Sequence, residues 1–193
     1  MSTGARRTAT LEEFLALNRD EHPVEFFDGE IVERAAPSPA HGLTHSKAAE
    51  LLGPFNRRAG GPRGPGGWWI MLEVDVIYPR RNDVFRHDLV GFRRDLHPER
   101  PAGTPVTTRP DWACEIISPS TRRADQVRKL RCLHQHEVPF YWLLDPEEET
   151  LLVYRHSAEG YVNVLAATAE DVMELPPFLG VEVAVAALFG RDD

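Results

Sequence analysis

Residues 111–117 read DWACEII, and Glu115 is the residue on which the reading of the chain turns. A run so rich in Trp, Ala, Cys and Ile predicts a short strand covered on both faces. Period-two alternation puts Glu115 on the face shared by Ala113 and Ile117. An ionised carboxylate buried without a partner costs several kcal/mol, roughly the whole stability margin of a small domain. Compensation has to come from a cation, a metal or a raised pKa. A salt bridge at the strand end is the simplest form of it.

The flanking segments supply candidates. HDLVGF, residues 87–92, is a short apolar strand opened by Asp88, and it is expected beside the 111–117 strand. Two carboxylates at neighbouring strand ends form a hard oxygen site suited to Mg²⁺ or Mn²⁺. STRRADQVRKLRCLHQH, residues 120–136, predicts a helix. On a helical wheel Ala124, Val127, Leu130 and Leu133 form its apolar arc, with Asp125, Lys129, Cys132 and His136 opposite. Lys129 lies near the border of that arc, from which its ammonium can reach Glu115 or a phosphate. The alternative is an i,i+4 pair with Asp125 on the helix surface. Lys129 and Lys47 are the only lysines among 22 basic residues.

Further out, Thr10 and LEEFLAL predict a capped helix with Glu13 at its third position. VEFFDGEIVE predicts a hairpin turning at Asp28-Gly29. His45–Arg58 reads as an amphipathic helix, and GGPRGPGG (60–67) as a loop. WWIMLEVDVIY (68–78) alternates, with Ile70, Leu72, Val74 and Val76 on one face and Met71, Glu73 and Asp75 on the other. PFYWLLD (139–145) is a buried strand, LLVYRH and YVNVLAA form a hairpin around Ser157–Gly160, and PPFLGVEVAVAALFG is a strand running into a short helix. The expectation is one α/β (α+β) domain over residues 1–193, a mixed central sheet flanked by helices, with an N-terminal helix and hairpin and a C-terminal hairpin.

The net charge of −8 hides a segregation. Residues 57–131 hold 15 Lys and Arg against 9 Asp and Glu, so the basic residues concentrate around the candidate site. Such a local field can hold a polyanion. No apolar run has the length of a membrane span, the N-terminus lacks a secretory h-region, and two cysteines make no disulfide scaffold. The expected compartment is the cytoplasm. Phosphate-loop, dinucleotide-binding and nucleophile-elbow motifs are all missing. Cys132 and His136 have no zinc-ligand partners at a familiar spacing, Cys114 reads as a buried strand residue, and His41 and His45 read as surface residues at a helix start. Trp68, Trp69, Trp112, Tyr141 and Trp142 read as core.

Together VEFFDGEIVE, PSPAHG, RHDLVGF, PDWACEIISPST, RRADQVRKLRCLHQHEVPFYWLLDP and PFLGVEVAV resemble, in order and over nearly the whole chain, the Uma-two family, a bacterial group described as restriction endonucleases. The resemblance implies a restriction-endonuclease-like fold of the PD-(D/E)XK superfamily, often homodimeric. It implies Asp88 and Glu115 as acidic metal ligands, the Ile116 carbonyl in the metal shell, and Glu25 near the same site. The superfamily's usual lysine position is Ile117 here, and Lys129 on the following helix is its implied substitute. The implied activity is Mg²⁺- or Mn²⁺-dependent cleavage of DNA, with the arginines of 57–63, 80–86 and 122–131 on its phosphates. The alternative is a nuclease-fold module that binds DNA or protein and has lost the chemistry.

Overall fold

The computed structural model describes residues 9–17, 23–34, 36–60, 65–118 and 124–191, with nothing stated of the side chains of Ala124 and Asp125. In chain order the elements are α1 (Leu11–Leu15), β1 (Val24–Phe27), β2 (Glu30–Glu33), α2 (Pro39–Leu51), β3 (Trp68–Tyr78), β4 (Asp83–Arg93) and β5 (Trp112–Ile116). A π-helical turn (Ala124–Lys129) then runs into α3 (Leu130–Gln135). β6 (Phe140–Asp145), β7 (Thr150–Ser157), β8 (Gly160–Thr168), β9 (Val172–Leu175), β10 (Phe178–Ala184) and a 3₁₀ turn (Val185–Phe189) follow. This is the mixed α+β architecture expected, with an eight-stranded sheet ordered β2-β1-β4-β5-β6-β7-β8 and β3 added on β4.

Local chemistry sets most boundaries. Thr10 and Glu13 close a reciprocal capping box at the start of α1. Asp28 and Gly29 both have positive φ, as a two-residue hairpin turn between β1 and β2 requires. α2 starts at Pro39 rather than His45, because the Ser38 side chain accepts the His41 amide and proline suits the first helical turn. It ends at Leu51, before Gly53-Pro54. Part of the expected 60–67 loop, residues 61–64, lies outside the described residues, as do residues 119–123 of the segment before α3.

β5 and β6 pair in parallel through the crossover that carries α3, and β7 and β8 close as the expected hairpin at Ser157 and Gly160. One sheet face, with Leu89, Cys114, Ile116 and Trp142, is covered by α2, β10 and the 3₁₀ turn. The other, with Val90, Ala113, Ile117 and Leu143, packs against Cys132 and Leu133 of α3. Trp112 and Trp142 are fully buried with Phe178 at their centre, so they are core as expected. β9 had no clear signal in the sequence; it pairs with β10.

Two expected patterns need correction. The alternation in β3 holds only on either side of Glu73: Trp69 and Met71 pack on the α3 face, and so do Val74 and Val76. Glu73 sits at φ 50°, and that left-handed residue shifts the pleat by one, leaving Leu72 exposed. On the helix, Val127 is exposed while Lys129 and Cys132 are buried. The π-helical turn takes more residues per turn than an α-helix, so a wheel drawn at α-helical spacing misplaces these three.

The branching of β4 positions the site. β3 pairs with β4 along its whole length, from Trp68↔Arg93 to Tyr78↔Asp83. β1 and β5 must therefore share the other edge of β4. β1 meets it at Val84 and β5 at Leu89–Gly91. Residues 85–88 lie between these two partners, in a fork of the sheet. Beyond the fork Gly91 allows the Trp68 and Trp112 rings to close over β4, since a Cβ there would lie 3.1 Å from each. Replacing Gly91 with Val is expected to cost about 1–3 kcal/mol by overpacking, read as a lowered urea midpoint.

Candidate active site

Carboxylates line the fork from three strands. The backbone amides that the parting strands leave behind are taken by side chains. The Asp88 carboxylate accepts the Ile116 N–H at 2.7 Å, and the Glu25 carboxylate accepts the Arg86 N–H at 3.2 Å. Buried amides need partners, so these acids are part of the strand pairing as well as charges. Glu115 projects from β5 into the same space, and Asp88 and Glu115 are only 1% and 2% exposed.

Cations fill the gaps between them. The Lys129 ammonium lies 2.8 Å from Glu115 and 2.9 Å from Glu25. The Arg34 guanidinium, at the end of β2, lies 3.1 Å from both Asp88 and Glu73 and 3.8 Å from Glu25. His41 of α2 reaches Asp88 at 3.3 Å, and one turn on His45 donates to the Asp88 carbonyl at 2.9 Å. His87 contacts Glu115 through Nδ1 and Tyr78 through Nε2, the latter at 2.8 Å.

These contacts set the protonation states. Burial alone would raise the Asp88 pKa, but the hydrogen bond and charge of His41, the Ile116 N–H and Lys129 together outweigh it and hold the carboxyl at about 2. Burial, then the Lys129 charge, push His87 well below its ordinary value. A neutral His87 donates from Nδ1 to Glu115 and accepts the Tyr78 hydroxyl at Nε2. Burial also keeps the Tyr78 phenol protonated. For Arg34, burial opposes the charge, but the fields of Asp88, Glu25, Glu115 and Glu73 prevail and raise its pKa.

The structure brings together all four side chains singled out in the sequence, Glu25, Asp88, Glu115 and Lys129. Ile116 adjoins them through its amide, bonded to Asp88. Ile117, at the usual lysine position, is buried in the α3-side core. Lys129 pairs with Glu115, while the competing partner Asp125 has a side chain outside the described residues. His41 and His45 are not surface residues: Ser38 caps α2 and the helix begins six residues earlier than expected, at Pro39, turning both toward Asp88. Arg34, Glu73 and His87 were missed. The arginine-rich composition hid Arg34, but the flanking of Asp88 by His87 was a visible signal. Of the arginines expected on phosphates, Arg86 is committed to Asp75 at 2.8 Å, and Arg63, Arg122 and Arg123 lie outside the described residues.

Hard oxygen donors and an excess of negative charge fit a divalent cation. Glu25, Glu73, Asp88 and Glu115 face the fixed cations Arg34 and Lys129, leaving one or two negative charges according to the protonation of His41. No three acidic, histidine or cysteine side chains gather into a ready-made cage among the described residues. The remaining ligands would be backbone carbonyl, water or substrate oxygens, as suits Mg²⁺.

Because the folded pKa of Asp88 lies below its ordinary value of 3.8, its ionised form stabilises the protein above that value, and the contribution is lost as pH falls toward 2. Asp88→Asn is expected to remove about 2 kcal/mol of this dependence. Urea unfolding at pH 5 and pH 2.5 should show a smaller loss of stability for the variant than for the native chain.

A family model described as "Putative restriction endonuclease" matches residues 11–186. No curated protein matches the chain. The crystal structure of "a putative nuclease belonging to DUF820" from Anabaena variabilis ATCC 29413 superposes with a TM-score of 0.73 at 21% identity. The alignment covers 94% of this chain and 97% of that one, and at this identity it establishes the fold. The matched span includes β1, β4, β5 and the π-helical turn that meet at the fork, and the chain belongs to the Uma2 family of restriction-endonuclease-like proteins.

Proposed function

We propose that the chain is a divalent-metal-dependent DNA endonuclease of the PD-(D/E)XK type, acting from the fork of the sheet. The observation that carries this reading is the convergence of Asp88, Glu115, Glu25 and Lys129 from β4, β5, β1 and the π-helical turn. Asp88, Glu115 and the Ile116 carbonyl would hold Mg²⁺ or Mn²⁺, which supplies Lewis acidity at the scissile phosphate.

The chain's own groups do the rest. Lys129 stabilises charge developing on the phosphate or positions the attacking water, from the helix rather than from position 117. Glu25 holds the Lys129 ammonium at 2.9 Å and assists by orienting a water beside it. His87, fixed by Tyr78, orients the Glu115 carboxylate. The basic residues of 57–131 supply a salt-sensitive, largely sequence-independent hold on DNA. A single domain assembling as a cytoplasmic homodimer completes the reading. Among the described residues no helix is long and apolar enough to cross a membrane.

A second reading, a binding module without chemistry, has one observation in its favour. Every oxygen of Asp88 and Glu115 already meets a cation, an imidazole or a backbone amide. Two measurements separate the readings. Millimolar Mn²⁺ or Mg²⁺ should raise the melting temperature by a few degrees, since a ligand held by the native state alone stabilises it. Metal-dependent nicking of plasmid DNA should fall roughly 100-fold or more in Asp88→Asn and Glu115→Gln. DNA binding that persists in both variants, with no thermal response to metal and no nicking by the native chain, selects the binding module.

A further inference from the structure

A cleft of about 660 Å³ lies along the β3–β4 hairpin away from the fork, lined by Arg58, Trp68, Trp69, Arg93, Arg94 and Asp95 among others. Its charges do not balance. Asp95 is engaged by Arg93, with Nε 3.1 Å from Oδ1. Among the described residues Arg58 and Arg94 have no carboxylate partner. Arg94 is held in place: its guanidinium lies 3.4 Å over the Trp69 ring, and its Nε donates to the Trp68 carbonyl at 2.7 Å. Burial and the charge of Arg58 both act against the Arg94 cation. A protein of net charge −8 thus keeps two unneutralised guanidinium groups at one cleft mouth, one of them stacked in a fixed orientation. An anion there relieves their repulsion and receives two forked donors.

Position identifies the anion. Arg94 follows Asp88 by six residues, just past the end of β4, about 20 Å at the rise of a strand. That distance is about six base-pair steps of B-form DNA. Trp69 packs on the α3 side of the sheet, the side to which Glu115 belongs with Ala113 and Ile117. We propose that this cleft is a second phosphate-binding subsite, in which Arg58 and Arg94 grip the DNA backbone about six base pairs from the phosphate held at the fork. The proposal rests on the nuclease reading of the fork.

The test uses the full chain, a labelled duplex of about 20 base pairs and EDTA in place of metal, with affinity read by fluorescence anisotropy across a NaCl titration. Each lost phosphate contact lowers the slope of log K against log[NaCl] by about 0.9. The double variant Arg58→Gln, Arg94→Gln is expected to lower that slope by about 1.8 and to bind more weakly, whereas Arg94→Lys keeps most of the slope. An unchanged slope and affinity in the double variant overturns the subsite, as does a tenfold preference for single-stranded RNA or an acidic protein over the duplex. If the native chain binds no duplex, the nuclease reading and the subsite fall together. If it nicks DNA normally while the slope stays unchanged, only the subsite falls. A lowered slope in a chain that never nicks supports the subsite and removes the chemistry.

Discussion

The Asp88 carboxylate accepts the Ile116 amide at the point where β4 and β5 part, and the rest of the site depends on that bond. A sheet that forks must leave backbone donors unpaired inside protein, where each costs about 1–3 kcal/mol if unsatisfied. Here two acids, Asp88 and Glu25, take the place of the missing strand. The geometry of the fold therefore demands buried negative charge at this place. That charge in turn requires partners from outside β4 and β5, and the cations Lys129 and Arg34 and the His41 imidazole supply them from three different segments.

The same constraint explains irregularities that look unrelated. The π-helical turn brings Lys129 inward at a position where an α-helix would have offered Val127 instead. Glu73, in a left-handed conformation, swaps the faces of β3 beside the fork and presents its carboxylate to Arg34. Strained residues persist where the surroundings over-determine them, and they tend to mark working sites. Both departures from regular structure adjoin the fork.

Much of this was legible in the chain. Glu115 stood out because a carboxylate inside DWACEII has no ordinary reason to be there, and Asp88 followed because its strand was the natural neighbour. The scarcity of lysine pointed to Lys129. What the sequence concealed came from loss of periodicity. The slip at Glu73 made one strand look as if it had a single polar face, and the π-helical turn broke the wheel. Arg34 was one arginine among many, and its role depends on where the β1–β2 hairpin returns, which residue patterning does not encode. His41 and His45 were misread because Ser38 caps the helix earlier than the apolar stripe implied.

As proposed, the fork is a divalent-cation site whose negative charge Arg34 and Lys129 only partly neutralise. The most direct measurement is anomalous diffraction from crystals soaked in Mn²⁺. An anomalous peak is expected within coordination distance of both the Asp88 and Glu115 carboxylates, accompanied by retreat of at least one of the two cations. Density with no such peak at saturating metal, and with Arg34 and Lys129 still bridging the acids, would contradict it.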